Sequence, residues 1–264
     1  MNASANPVTT LRIDRLHVGI YPDRESLGRA AAAEVGEMLK ALLARQSSVR
    51  MVFAAAPSQN EFLTSLSRCD GVAWNKVTAL HMDEYLGLEG DAPQLFANFL
   101  RERIFRRVPF GRVHYINPHL DRAVEECRRY SALLREAPVD IVCLGIGENG
   151  HIAFNEPHVA DFKDPSLVKL VDLDSQSRDQ QVHDKCFARL EDVPRKAVTL
   201  TIPALLSGRS LFIIVPGKAK AEAVHRALCG EIEESCPASI LRTHANARLF
   251  LDTDSASKYL ATRR

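Results

Sequence analysis

The chain reads as a doubly wound, mostly parallel α/β sheet with helices on both faces. Two patterns along the sequence predict this. Short β-branched runs alternate with longer stretches of helical period, the order that joins parallel strands by right-handed crossovers. Val139–Leu144 is apolar throughout, as suits a central parallel strand covered on both faces. The length of 264 residues fits one such domain over 1–264, and 46% hydrophobic with 25% charged residues is ordinary for a globular protein.

The elements follow in order. A strand is expected over Arg12–Ile20. Asp23 then caps a helix to about Arg45, with Leu27, Ala31, Val35, Met38, Leu39 and Leu42 on its apolar stripe. Strand Val49–Ala55 is followed by a helix from Asn60, strand Val77–Met82 by a helix over Pro93–Arg106. Strand Val113–Ile116 leads to helix Asp121–Arg135, whose inner face carries Val124, Cys127 and Leu134. After Val139–Leu144 comes a polar stretch, Pro157–Lys196, interrupted by a short strand at Val168–Val171 and long enough to act as a lid. Strands Ala197–Ile202 and Ser210–Val215, helix Lys218–Leu228, strand Arg248–Leu251 and a last helix complete the chain.

Composition narrows the partners. Thirty-four Lys and Arg stand against 33 Asp and Glu, so nothing global attracts nucleic acid, and any anion site is local. No apolar run is long enough to span a membrane. The first ten residues lack the apolar stretch of a signal peptide. Six scattered cysteines with no C-x-x-C pair predict neither a disulfide framework nor a zinc site, and point to a reducing cytoplasm. Oligomeric state is left open, a homo-oligomer included.

In doubly wound sheets, ligands sit beyond the carboxyl ends of the strands. Four loops there carry reactive groups. Gly145-Ile146-Gly147-Glu148-Asn149-Gly150-His151 follows the central strand. Its G-x-G-x-x-G spacing matches a dinucleotide fingerprint, but Asn155-Glu156-Pro157 interrupts the long helix that motif requires. Gly147 and Gly150 are better read as letting backbone approach a small ligand and expose N–H donors. His151, with Asn149 two residues before and Glu156 five after, is either a proton-transfer group or a histidine tied to loop backbone. Asp83-Glu84 is either a general base with its neighbour or a helix cap. Lys218 and Lys220 open a helix as an anion site or as surface amines. Ser58, Gln59 and Asn60 either hold a phosphate or cap a helix.

Together these residues resemble a known family. His81-Met82-Asp83-Glu84-Tyr85-Leu86-Gly87-Leu88 and the segment Leu144 to Pro157 are similar to the two signature segments of the glucosamine-6-phosphate isomerase/deaminase family, which has a Rossmann-like fold of the sugar-phosphate isomerase type. A weaker likeness runs from Val49 to Leu251. The resemblance implies isomerisation of glucosamine 6-phosphate with loss of ammonia, giving fructose 6-phosphate without any cofactor or metal. It implies Asp83 as the base shuttling the C2/C1 proton, His151 as acid and base for ring opening, and Glu156 as its orienting carboxylate. Lys220 and Ser58 fall at the family's phosphate positions, and Gln59, Glu84, Gly147 and Gly150 join the substrate-binding candidates. Three departures stand out. Asn149 replaces the Asp of well-known members and orients without charge. Ala54-Ala55-Ala56-Pro57-Ser58-Gln59 lacks the family's phosphate-loop glycines. The lid arginine that binds phosphate has Lys185 as its nearest counterpart, with Arg178 the other choice. The N-terminal extension and Pro157–Lys169 do not match the allosteric pocket of regulated members, so no activation by N-acetylglucosamine 6-phosphate is expected. A 6-phosphogluconolactonase on a similar fold, and a non-catalytic sugar-phosphate-binding protein, are the alternatives.

Overall fold

The computed structural model describes residues 6–263, so Met1–Ala5 of the polar N-terminal stretch lie outside the described residues. The chain runs β1 (Thr9–Ile13), β2 (Leu16–Tyr21), α1 (Arg24–Leu43), β3 (Val49–Phe53), α2 (Asn60–Leu66), β4 (Val77–His81), β5 (Asp83–Tyr85), α3 (Phe96–Leu100), β6 (Arg112–His114), α4 (Ala123–Glu136) and β7 (Ile141–Leu144). It continues through β8 (Val168–Asp172), α5 (Ser175–His183), β9 (Lys196–Leu200), α6 (Ile202–Leu206), β10 (Ser210–Val215), α7 (Ala221–Cys229), β11 (Ala247–Asp252) and α8 (Ser257–Ala261).

Eight strands form the main sheet in the order β1-β2-β11-β10-β7-β3-β4-β6. All neighbours are parallel except β1 on β2. The doubly wound reading therefore holds. From β3 the chain winds outward to β4 and β6, then returns to place β7 on β3's other side and β10 and β11 beyond it. The order reverses between β3 and β7, where a crevice opens at the carboxyl ends.

Strand alternation divides the interior into two cores. Ile141 and Cys143 of β7, with Met51 and Phe53 of β3 and Phe212 and Ile214 of β10, face α1 and α2. Val142 and Leu144, with Val52, Leu211, Ile213 and Val215, face α4, α6 and α7. Both faces are covered, which is why β7 is apolar at every position and β3 and β10 are apolar at all but one, Arg50 and Ser210 at or next to their starts. Local signals fix the helices. Asp23 caps α1 reciprocally with Ser26. The Arg50 guanidinium donates to the carbonyls of Leu133, Leu134 and Ala137, which α4 leaves free at its end.

Several expectations need correction. The strand expected over Arg12–Ile20 is a hairpin, turning at Asp14, whose φ is 51°. No glycine marks that turn, so the sequence conceals it. Ala197–Ile202 does not join the parallel sheet. Its strand β9 lies between β5 and β8 in a separate antiparallel sheet of three strands. Val124 is 57% exposed and does not face the core; Ala123 and Tyr130 of α4 do. The helix expected from Pro93 starts at Phe96 and continues through a π-helical turn, Arg101–Phe105. The polar stretch contains a helix, α5, that its composition hides.

Candidate active site

The small sheet delivers the acidic pair. The chain leaves the main sheet at Met82 and pairs β5 with β9, Asp83 opposite Thr199 and Glu84 opposite Val198. Alternation along a strand sends the two carboxyls to opposite sides. Glu84 is completely buried and accepts the N–H groups of Tyr85, Phe96 and Ala97 at 2.8–3.0 Å. It holds the start of α3, whose own N-cap position has no capping side chain. The expectation that Glu84 touches substrate is therefore wrong: its oxygens are taken up by backbone. Asp83 points instead into a cavity at the switch point. Burial pushes its carboxyl up to about 8, with no charged or hydrogen-bonded neighbour contributing. Beneath it, His81 accepts the Ile116 N–H at Nε2 and so donates from Nδ1 to the Asp83 carbonyl, at 2.9 Å each. This neutral histidine fixes the backbone that carries Asp83.

The glycine loop after β7 delivers the imidazole. Asn149 Oδ1 accepts both the His151 backbone N–H at 3.0 Å and the ring Nδ1 proton at 2.7 Å. That assignment leaves Nε2 with its lone pair free. Burial, with the Lys220 ammonium nearby, drives the His151 pKa down to about 3, so the ring is neutral. Gly147 lies flat against this ring; a Cβ there would overlap it. The N–H groups of Gly147 and Gly150 are not free donors, since they bond to the carbonyls of His151 and Gly147. The glycines act by leaving room: Gly150, at φ 91°, packs against Cys236 and does not line the cavity.

Glu156 does not touch His151. It is fully buried, and its Oε2 accepts the Asp174 N–H at 2.8 Å. His151's remaining neighbour is Ser177 of α5, whose Oγ lies 3.2 Å from Nδ1. Sequence reading missed Ser177 because it sits in a helix that was not recognised. The signal was present: Asp174 caps α5 by accepting the Ser177 N–H, and Ser177, Gln180 and Gln181 share one buried face. That face is polar, so a search for apolar periodicity passes over it.

The cavity takes Ser58 and Gln59 from the turn after β3, Asp83 from β5, Gly147 and His151 from the glycine loop, Gln180 and Gln181 from α5, and Lys220 ahead of α7. Phe96, Phe154 and Ala54–Ala56 complete the wall. Its volume is about 60 Å³, well under the roughly 300–1,000 Å³ of small-molecule pockets. Gln59 uses its amide N–H groups on Ile214 O and Ser58 Oγ, so its side chain offers an acceptor rather than a donor. Lys220 is 7% exposed and its pKa is lowered by burial. Its ammonium makes no hydrogen bond among the described residues and is available to an anion. Lys185 is exposed, at φ 59° just past α5, and does not line the cavity. Arg178 is held by the Leu190 and Val193 carbonyls. Neither replaces the expected lid cation. The donor atoms of Glu156, His158 and Asp174 lie within 4.8 Å of one another, but these residues sit at the base of α5, outside the cavity lining. A larger groove of about 310 Å³ near His17, Tyr21, Glu34 and Arg248 lies at the β2–β11 side of the sheet, away from this chemistry.

Among the described residues, the arrangement combines an unpaired carboxyl, an imidazole nitrogen with a free lone pair and an unpaired ammonium. Such a set can move protons at carbon and oxygen while holding an anion.

The chain is similar to known proteins over most of its length. Residues 22–250 match the family model described as glucosamine-6-phosphate isomerases/6-phosphogluconolactonase. The chain is 34% identical over 221 residues to the glucosamine-6-phosphate deaminase of Streptococcus pneumoniae serotype 4, covering 84% of this chain and 92% of that one. A monomeric glucosamine-6-phosphate deaminase of known structure superposes with a TM-score of 0.84 at 31% identity, over 91% of this chain and 99% of the other. A 6-phosphogluconolactonase from Thermotoga maritima shares the fold, with a TM-score of 0.74 at 20% identity over 90% and 99% of the two chains. With carboxyl, imidazole and amine gathered at the switch point of a shared fold, and with the match extending over most of its length, the chain belongs to the glucosamine-6-phosphate isomerase/6-phosphogluconolactonase family.

Proposed function

We propose that the chain is a glucosamine-6-phosphate deaminase, converting glucosamine 6-phosphate and water to fructose 6-phosphate and ammonia. The observation that carries this reading is the cavity shared by Asp83, His151 and Lys220. Lys220 pairs with the substrate phosphate, away from the reacting carbons, and its binding free energy orients the sugar. His151 Nε2 takes the proton from the anomeric hydroxyl and returns it to the ring oxygen, opening the ring. Only a neutral imidazole can begin that step, and burial keeps His151 neutral. The ionised form of Asp83 removes the proton at C2 and delivers it to C1, while the proton that the C2 amine gives up on becoming an imine is taken up by the C1 oxygen, which becomes a hydroxyl. Water adds at C2, the C–N bond breaks and ammonia leaves.

A lactonase would have no use for a carboxyl at Asp83. Residues 157–196 serve as a lid, with α5 over the cavity, and displacement of α5 would widen the narrow cavity for a hexose phosphate. The reaction belongs to amino-sugar breakdown in the cytoplasm, a setting consistent with six unpaired thiols. Among the described residues, no helix is long and apolar enough to cross a membrane.

A coupled assay tests this. Glucosamine 6-phosphate should yield ammonia and fructose 6-phosphate in equal amounts, and Asp83→Asn should lower turnover by about 10²–10⁴-fold with folding retained. Hydrolysis of a sugar-phosphate lactone without ammonia release would replace the reading with that of a lactonase.

A further inference from the structure

We propose that Ser177 is the positioning residue through which Glu156 acts on His151, so that the imidazole is fully supported only while α5 covers the cavity. This inference rests on the deaminase reading of the site.

Ring opening places a second proton on the imidazole for a moment, and the resulting cation needs a negative charge within reach. Asn149, which takes the Nδ1 proton at 2.7 Å, is neutral and cannot supply one. Lys220 opposes the cation. Glu156 is the carboxylate on the Nδ1 side, yet it does not reach the ring. Its Oε2 is taken by the Asp174 N–H, while Oε1 is buried without a partner. A buried acceptor left unpaired is costly and calls for a donor.

Ser177 is placed to join the two. Its Oγ is 3.2 Å from His151 Nδ1; burial raises the Glu156 pKa, and the Ser177 hydroxyl is the largest influence working against that rise. A hydroxyl accepts one hydrogen bond and donates another. Sharing the His151 Nδ1 proton with Asn149, the Ser177 hydroxyl keeps its own proton free; turned toward Glu156 Oε1, it would satisfy the orphaned oxygen and pass the carboxylate's influence to the ring. It stands in the first turn of α5, anchored by its N–H on Asp174 Oδ1 at 2.7 Å. When α5 lifts, the hydroxyl leaves with it. Proton transfer at His151 is thereby tied to closure.

The test is a double-mutant cycle with a spectroscopic arm. In Ser177→Ala, kcat should fall about tenfold, the size of one hydrogen bond to a charged group, with KM changed less than about threefold. Ser177→Thr, which keeps the hydroxyl, should recover most of the loss. Glu156→Gln should show a similar loss, and Ser177→Ala added to it should cost little more. In the NMR spectrum, the low-field Nδ1 proton of His151 should exchange faster in Ser177→Ala than in wild type. Full kcat in Ser177→Ala, multiplying losses in the double mutant, or an unchanged Nδ1 proton would each overturn the proposal. If wild type releases no ammonia, the deaminase reading fails, while the Nδ1 proton still reports on Ser177.

Discussion

Asp83 shows what a buried carboxyl costs its protein. Its pKa is raised from 3.8 to about 8 by burial alone. A raised folded-state value means that the associated stability is complete below pH 3.8 and is lost as pH rises through about 8. Asp83→Asn removes the charge that must be buried. We expect the variant to match wild type near pH 4 and to melt higher near pH 9, by several degrees in order of magnitude. Differential scanning calorimetry at both values checks this, and equal melting at pH 9 would refute it. Sequence showed that an acidic pair ended a strand, but not which member was free. One carboxyl, Glu84, holds a helix start, and the other, Asp83, faces the cavity. The distinction rests on pairing with Val198 and Thr199, residues more than a hundred positions away. Glu156 was legible as a carboxyl near His151, but the intervening Ser177 was not.

Among the elements, α5 matters most and was least visible. Its inward residues are Ser177, Gln180 and Gln181, so burial without apolarity erased the usual signal. The parallel strands were legible because both their faces are covered, while β9 misled because a strand in a small antiparallel sheet reads locally like any other. What holds α5 down lies just beyond it. Phe187 packs edge-on against Tyr85 at 5.5 Å, beside the stacked pair Phe96 and Phe154 that lines the cavity. Truncating a buried Phe typically costs about 3–5 kcal/mol. In Phe187→Ala we therefore expect faster amide exchange over 175–183, a lower melting temperature and a raised KM. Exchange in that segment indistinguishable from wild type would show that the aromatic contact does not restrain α5.

For the molecule as a whole, two pairs of buried groups set the response to pH in opposite directions. His81 and His151 have values lowered from 6.5 to about 4 and about 3 by burial. Their stability is present above pH 6.5 and is lost as pH falls through those lower values. Asp83 and Glu84, raised from 3.8 and 4.5 to about 8, work the other way. Between about pH 4.5 and 6.5 the unfolded chain has gained protons on its histidines and lost them from these carboxyls, so the contributions oppose each other. Thermal stability should therefore be greatest there, declining towards pH 8 and again below pH 4. A melting series across pH 3–9 measures this, and a maximum at pH 8 would contradict it.

The register of β5 on β9 carries one more consequence. Because successive side chains alternate, a slip of a single position would turn each acid to the opposite face: Glu84 toward the cavity and Asp83 toward the side of the third helix. The chemistry of this protein is thus written partly in how two short ribbons are aligned, and an error in that alignment would leave every residue present while putting the wrong acid to work.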